Sequence, residues 1–223
     1  MKTRLIFLPL LVIFATFGTA GLLEQSGASQ ANPLIKKVTE PARYRIVPDQ
    51  SQFMVEAYSG GLLWFMGHTH HFAIRNFTGE AQATAETLEP GWLRLEVRAD
   101  SLEETGKNFT EEQKKIINEG ARKEVLQAAT YPEIVFKSTD LKSEKISDGQ
   151  FKAKIGGDLT LHGVTRRIAI PAKVTISGDT LRASGEFSIN RSDYGVKTHS
   201  IKGGMIRVRD GVKFTFDITA KKF

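Results

Sequence analysis

None of the 223 residues is cysteine. Disulfide staples, a cysteine nucleophile and a lipid-modified N-terminal cysteine are therefore excluded, and the fold must stand on its hydrophobic core. Long apolar runs are also scarce. The one at residues 5–17 falls short of the roughly 20 residues that cross a bilayer. There is no Gly-x-Ser-x-Gly, no phosphate-cradling glycine loop, no tight pair of carboxylates and no internal repeat. Clustered positive charge is missing too. The formal charge is +6, of which Lys2 and Arg4 supply two, and Lys152, Lys154, Arg207, Arg209 and Lys213 fall on alternate positions of extended segments. That is a solvated face with a weak attraction to an anionic membrane surface, and it carries no nucleic-acid footprint.

The N-terminus suggests export. Met1-Lys2-Thr3-Arg4 is a short basic region, an apolar run follows, and Gly18-Thr19-Ala20 offers a small-x-small cleavage site before Gly21. We expect residues 1–20 to be a cleaved signal peptide and the protein to be exported, to the periplasm in a bacterium. Residues 21–42 are polar, rich in small residues and broken by Pro33 and Pro41, as in a tether. Residues 43–223 form the single expected domain. A domain of about 180 residues buries about 70% of its unfolded surface, enough without staples.

Within that domain the dominant period is two. Phe53, Val55 and Ala57 share one parity, as do Leu93, Leu95, Val97 and Ala99. So do Phe151, Ala153 and Ile155; Leu181, Ala183, Gly185, Phe187 and Ile189; and Val212, Phe214, Phe216 and Ile218. Each run offers one apolar and one polar face, as strands do. Glu89-Pro90-Gly91, Ser147-Asp148-Gly149, Ser177-Gly178-Asp179 and Arg209-Asp210-Gly211 read as the turns between them. The expectation is an all-β fold, a closed antiparallel β-barrel of about eight strands. One helix is inserted near 111–127, opened by the capping sequence Thr110-Glu111-Glu112-Gln113. It either covers one mouth of the barrel or packs outside. Glu103-Glu104 and Glu111-Glu112 read as acids favouring the helix start.

Three segments carry a family resemblance. They are Gly157-Asp158-Leu159-Thr160-Leu161-His162-Gly163-Val164-Thr165-Arg166-Arg167-Ile168-Ala169-Ile170-Pro171, Tyr131-Pro132-Glu133-Ile134-Val135-Phe136-Lys137-Ser138, and Gly185-Glu186-Phe187-Ser188-Ile189-Asn190-Arg191-Ser192-Asp193-Tyr194-Gly195-Val196. Together, and in their order along the chain, they resemble the YceI-like family. Gly67-His68-Thr69-His70 is similar to a subgroup of that family with Gly-His-x-His in its first hairpin. The resemblance implies a lipocalin-like barrel that holds an isoprenoid-type lipid, a polyprenyl chain or a quinone, in an apolar tunnel and needs no other cofactor.

Periodicity alone does not separate a tunnel from a solid core. If the tunnel exists, its expected wall includes Phe53, Val55, Trp64, Phe72, Phe136, Phe187, Ile189, Phe214 and Phe216. The histidines allow two uses. His68, His70 and His162 could contact the lipid's polar end, or His68 and His70 could bind a metal with His162 or His199 completing the set. A metal-dependent enzyme is thus the rival to a lipid carrier, and an envelope stress or scaffold protein with a filled barrel is the third reading. Arg191-Ser192-Asp193-Tyr194-Gly195 combines tempting side chains, but its serine, aspartate and glycine are what a structural turn requires.

Overall fold

The computed structural model describes residues 40–62, 67–198, 200–201 and 205–223. The expected signal peptide, Trp64 and His199 lie outside them. The strands are β1 (Ala42–Ile46), β2 (Gln52–Gly60), β3 (His70–Ile74), β4 (Phe77–Ala83), β5 (Trp92–Arg98), β6 (Leu102–Glu104), β7 (Glu133–Ser147), β8 (Gln150–Leu161), β9 (Val164–Ser177), β10 (Thr180–Asn190), β11 (Ser200–Ile201) and β12 (Ile206–Lys222). A helix, α1 (Glu111–Gly120), lies between β6 and β7.

Pairing is antiparallel throughout, and β1 closes the sheet against the end of β12 through Tyr44 opposite Lys222. β1 and β2 follow one another along β12, β3 and β4 lie beside them, and β6 and β5 come next. Each of these pairs is one long strand with a break, so the wall is an eight-stranded closed barrel. Pairing β1 with β12 leaves the sheet no terminal strand. The first break is a single helical turn at Pro48–Gln50, where Ser51 Oγ donates to Val47 O at 2.7 Å and accepts from Thr219 N at 3.0 Å. Backbone groups released by the kink are thereby satisfied.

The β8–β9 hairpin turns on His162 and Gly163, with φ of 52° and 74°. Two left-handed residues match the twist of the flanking strands. Asp210-Gly211 departs from expectation, because β12 runs straight through it and the pairing with β2 only slips between Val208 and Val212. A turn sequence is overridden here by unbroken partners: β10 continues opposite β12 to Gly211, and β2 pairs on both sides of the slip.

Asp210 instead clamps the short helical turn at Arg191–Tyr194, accepting from Ser192 N at 3.0 Å and Ser192 Oγ at 2.6 Å. Those bonds hold its carboxyl below the usual carboxylate range. A carboxyl depressed by folding stabilises above its unfolded pKa, and that stabilisation is lost as pH falls through the folded value. Asp210→Asn should therefore lower the urea midpoint at neutral pH, with the gap to the parent closing as both are acidified below the carboxylate range. A gap of equal size at acid pH would show that the charge plays no part.

Helix α1 begins as expected. Thr110 Oγ1 accepts from Gln113 N at 3.3 Å while Gln113 Oε1 accepts from Thr110 N at 2.8 Å. It is shorter than 111–127, since a wider helical turn replaces it at Ala121–Val125 and Gln127 takes φ 48°. Asn118 Oδ1 accepts from Glu104 N at 2.6 Å and the Arg122 guanidinium donates to Leu102 O at 2.7 Å, tying this helical segment to β6. Ile117, Ala121 and Leu126 pack on the core, and Ile116 is exposed. The segment sits at the end of the barrel where β6 stops and β7 starts. The opposite end is filled by Tyr44, Leu88, Phe151, Val174 and Ile176, all buried.

Candidate functional site: an apolar void and a polar rim

The inward faces of the strands leave an apolar cavity of about 130 Å³, counted as the space open to the centre of a water-sized sphere, within about 1060 Å³ free of protein atoms that includes space open to solvent. Its wall draws on strands from β1 to β12, and every lining side chain is aliphatic or phenyl. Water entering it finds no hydrogen-bonding side chain. Such cavities stay dry and accept apolar guests.

Of the expected wall residues, Phe53, Phe136, Phe187, Phe214 and Phe216 border the void. Val55, Phe72 and Ile189 are buried in the packing around it and do not border it. Trp64 lies outside the described residues. The remaining wall is aliphatic, including Leu95, Ile155, Leu159, Ile168 and Ile218. The same parity that marks the phenylalanines marks Leu95, Ile155 and Ile218. The rings of Phe187 and Phe214 stack with centroids 4.9 Å apart, and Phe53 tilts against Phe214 at 6.2 Å. Gly185 makes room for the wall: a Cβ there would lie 2.8 Å from the Phe216 ring and 2.4 Å from Pro171 O.

The polar groups gather at the end where the β8–β9 turn, α1 and the starts of β3 and β7 meet. His70 stands opposite Ala57 on the inward parity of β3, next to Phe72. Its Nδ1 donates to Glu104 Oε2 at 2.8 Å. The imidazole is stacked between Phe72 at 5.9 Å and Phe109 at 5.2 Å, and His68 meets the Phe109 ring edge-on. Glu104 is fully buried, and its Oε1 accepts from His71 N at 3.1 Å and Gly106 N at 2.8 Å. Engaging Nδ1 fixes the ring's orientation and leaves Nε2 as the atom it presents.

Glu103 and Glu104 therefore do not serve the helix start. They lie on β6, and strand alternation turns Glu103 outward to Arg75 at 2.6 Å and Glu104 inward to His70. Three residues are too short for a period to show in the sequence.

His162 stands apart from this pair. Its ring lies 4.2 Å from that of Tyr131, and its Nε2 is buried without a hydrogen-bond partner among the described residues. His71 is exposed on the other face of β3. Among the described residues no three His, Asp or Glu side chains come together as a metal-binding group.

Residues 44–220 match the YceI-like domain family. A UPF0312 protein of Pseudomonas savastanoi pv. phaseolicola is 33% identical over 135 residues, which cover 57% of this chain and 64% of that protein. A UPF0312 protein of Pseudomonas fluorescens is 31% identical over 129 residues, 55% of this chain and 62% of that one. The chain thus spans less than two thirds of these relatives' length. Among solved structures, Burkholderia cenocepacia BcnA superposes with a TM-score of 0.61 at 18% identity, covering 79% of this chain and 99% of that one. A polyisoprenoid binding domain from Saccharophagus degradans, implicated in plant cell wall breakdown, gives 0.57 at 13% identity over 82% of this chain and 100% of its own. The Campylobacter jejuni YCEI protein gives 0.52 at 18% identity over 67% and 83%. With nearly all of its barrel matched by one family, the chain belongs to the YceI-like domain family.

Proposed function

We propose that the barrel binds an isoprenoid-type lipid, a polyprenyl chain or a quinone, and shields it from water for storage or transport in the cell envelope. The observation that carries this reading is the void whose wall holds no polar side chain. Burial of apolar surface contributes about 25 cal/mol per Å², so a chain of several isoprene units can outweigh the cost of association. The polyisoprenoid binding described for the Saccharophagus domain supports the same cargo class. The role requires no reaction. A metal-dependent activity on His68 and His70 lacks a third ligand among the described residues. A filled barrel is disfavoured by the void. Export through residues 1–20, to the periplasm in a bacterium, is part of the proposal, and N-terminal sequencing of the envelope protein tests it.

The first experiment is organic-solvent extraction of protein purified from its own envelope without chelator, with lipids identified by mass spectrometry and metals quantified in the same sample. The expected result is one isoprenoid species at about one per protein. Stoichiometric metal without lipid, lost in His70→Ala, overturns it. Ala183 borders the void, so Ala183→Phe should fill space already empty. We expect lipid occupancy to fall at least about tenfold while the thermal midpoint holds or rises, since the added ring gains packing partners without displacing any. Unchanged occupancy in a folded A183F protein argues that the lipid sits elsewhere.

A further inference from the structure

Among the described residues the barrel wall is only partly sealed between β9 and β10. β9 and β10 pair only from Thr180 opposite Ser177 to Ser184 opposite Lys173. Beyond that point both strands continue, each held on its other side alone, β9 by β8 and β10 by β12. Pro171 stands just past the last pair and has no N–H to extend the ladder. Where the strands part, a pocket opens between Arg166, Arg167 and Ile168 on one side and Ser188, Ile189 and Asn190 on the other, with Asp193 and Tyr194 completing it. Ile168 borders both this pocket and the barrel void.

Tyr194 is the informative residue. It is only 1% exposed, and it is packed in one apolar cluster with Phe136, Leu159, Leu161 and Ile170, which line the void. Its hydroxyl is buried and has no hydrogen-bond partner among the described residues. The second such atom is His162 Nε2, at the same corner: His162 Nδ1 lies 4.0 Å from where a Cβ on Gly195, the next residue after Tyr194, would stand. A buried polar atom without a partner is destabilising, because it has given up its hydrogen bonds to water. Two at one corner call for a shared explanation.

We propose that Tyr194 Oη and His162 Nε2 form the headgroup subsite of the lipid chamber, at the seam between β9 and β10, and that they read a neutral oxygen, a hydroxyl or ring carbonyl. This rests on the proposed lipid cargo and specifies which end of the barrel holds its polar end. The surroundings favour a neutral head over an anion. Arg166 already donates to Asp193 O at 3.1 Å, and Arg167 is paired with Asp140. The cluster around Tyr194 is apolar, and a charge buried there would go unpaired. Burial, then the Asp193 carboxylate, push the Tyr194 hydroxyl further up, so it remains a donor at neutral pH.

Tyr194→Phe removes one oxygen and keeps the ring that packs the cluster. The probes are geranylgeraniol, the hydrocarbon of the same carbon skeleton without the hydroxyl, and geranylgeranyl phosphate, titrated into full-length lipid-free protein and followed by calorimetry. We expect the parent to bind the alcohol about tenfold tighter than the hydrocarbon, the worth of one or two net hydrogen bonds. In Y194F that preference should shrink to about twofold, with hydrocarbon affinity unchanged. Its ligand-free thermal midpoint should be unchanged or raised, because an unsatisfied buried hydroxyl has been deleted. His162→Gln should also narrow the preference. A preference that persists in Y194F overturns the subsite, as does tighter binding of the phosphate than of the alcohol. A lower ligand-free midpoint in Y194F overturns it too, since the hydroxyl would then have had a partner such as an internal water. A parent that binds alcohol and hydrocarbon equally sinks the headgroup site alone, whereas a parent that binds none of the three sinks the lipid cargo and the subsite with it.

Discussion

Glu104→Ala should destabilise the protein by about 3–5 kcal/mol, among the largest effects of any single substitution in this chain. The carboxylate is fully buried and accepts from His70 Nδ1, His71 N and Gly106 N. Truncation strands three donors, Gly106 N buried and the His70 and His71 groups part-buried, at up to about 1–3 kcal/mol each before relaxation. It also removes the anchor of the His70 ring, and with it the stack between Phe72 and Phe109. Urea unfolding reads the result as a midpoint lowered by about 2 M at a typical slope. Glu104→Gln keeps one acceptor oxygen and should cost markedly less. A Glu104→Ala loss below about 1 kcal/mol would mean that this end of the barrel is open to water and relaxes freely.

The second large effect separates wall from core. Phe151 is 1% exposed and sits at the filled end, so Phe151→Ala should cost about 3–5 kcal/mol by opening a cavity where neighbours cannot collapse. Phe214 borders the void and already lacks partners on one side. Its truncation forfeits fewer contacts, and about half the cost is expected. Lipid binding should show the reverse order, with occupancy per folded molecule altered by Phe214→Ala and unaffected by Phe151→Ala. Thermal unfolding and extracted lipid, measured on both variants, check the crossing. Equal stability losses with unaltered occupancy in both would return Phe214 to ordinary core packing.

The barrel was legible in the sequence because alternation over long strands is a strong signal. The runs around Phe151, Leu181 and Phe214 each carry several same-parity apolar residues, and all lie in strands. Two kinds of feature escaped. Asp210-Gly211 has the chemistry of a hairpin turn but sits inside a strand, because local preference yields when both neighbours continue. Glu104 was hidden by brevity: β6 has three residues, and the partner that gives the carboxylate its meaning lies 34 positions away in the chain. At the site, the phenylalanines drew attention by size, whereas much of the wall is leucine and isoleucine whose facing is settled only by register. The void itself could not be read, since a period of two says which side chains face inward and nothing about whether they meet in the middle.

The pairing of Tyr44 with Lys222 sets the order of events in the protein's biogenesis. β1 and β12 are mutual neighbours, so a growing chain cannot close its cylinder until β12 has emerged. Every shorter intermediate carries two open edges and an uncovered apolar lining. Contacts this distant in sequence form slowly and leave such surfaces available for aggregation. The cylinder can thus close only after β12 has been made, and the vulnerable period is governed by that strand's arrival.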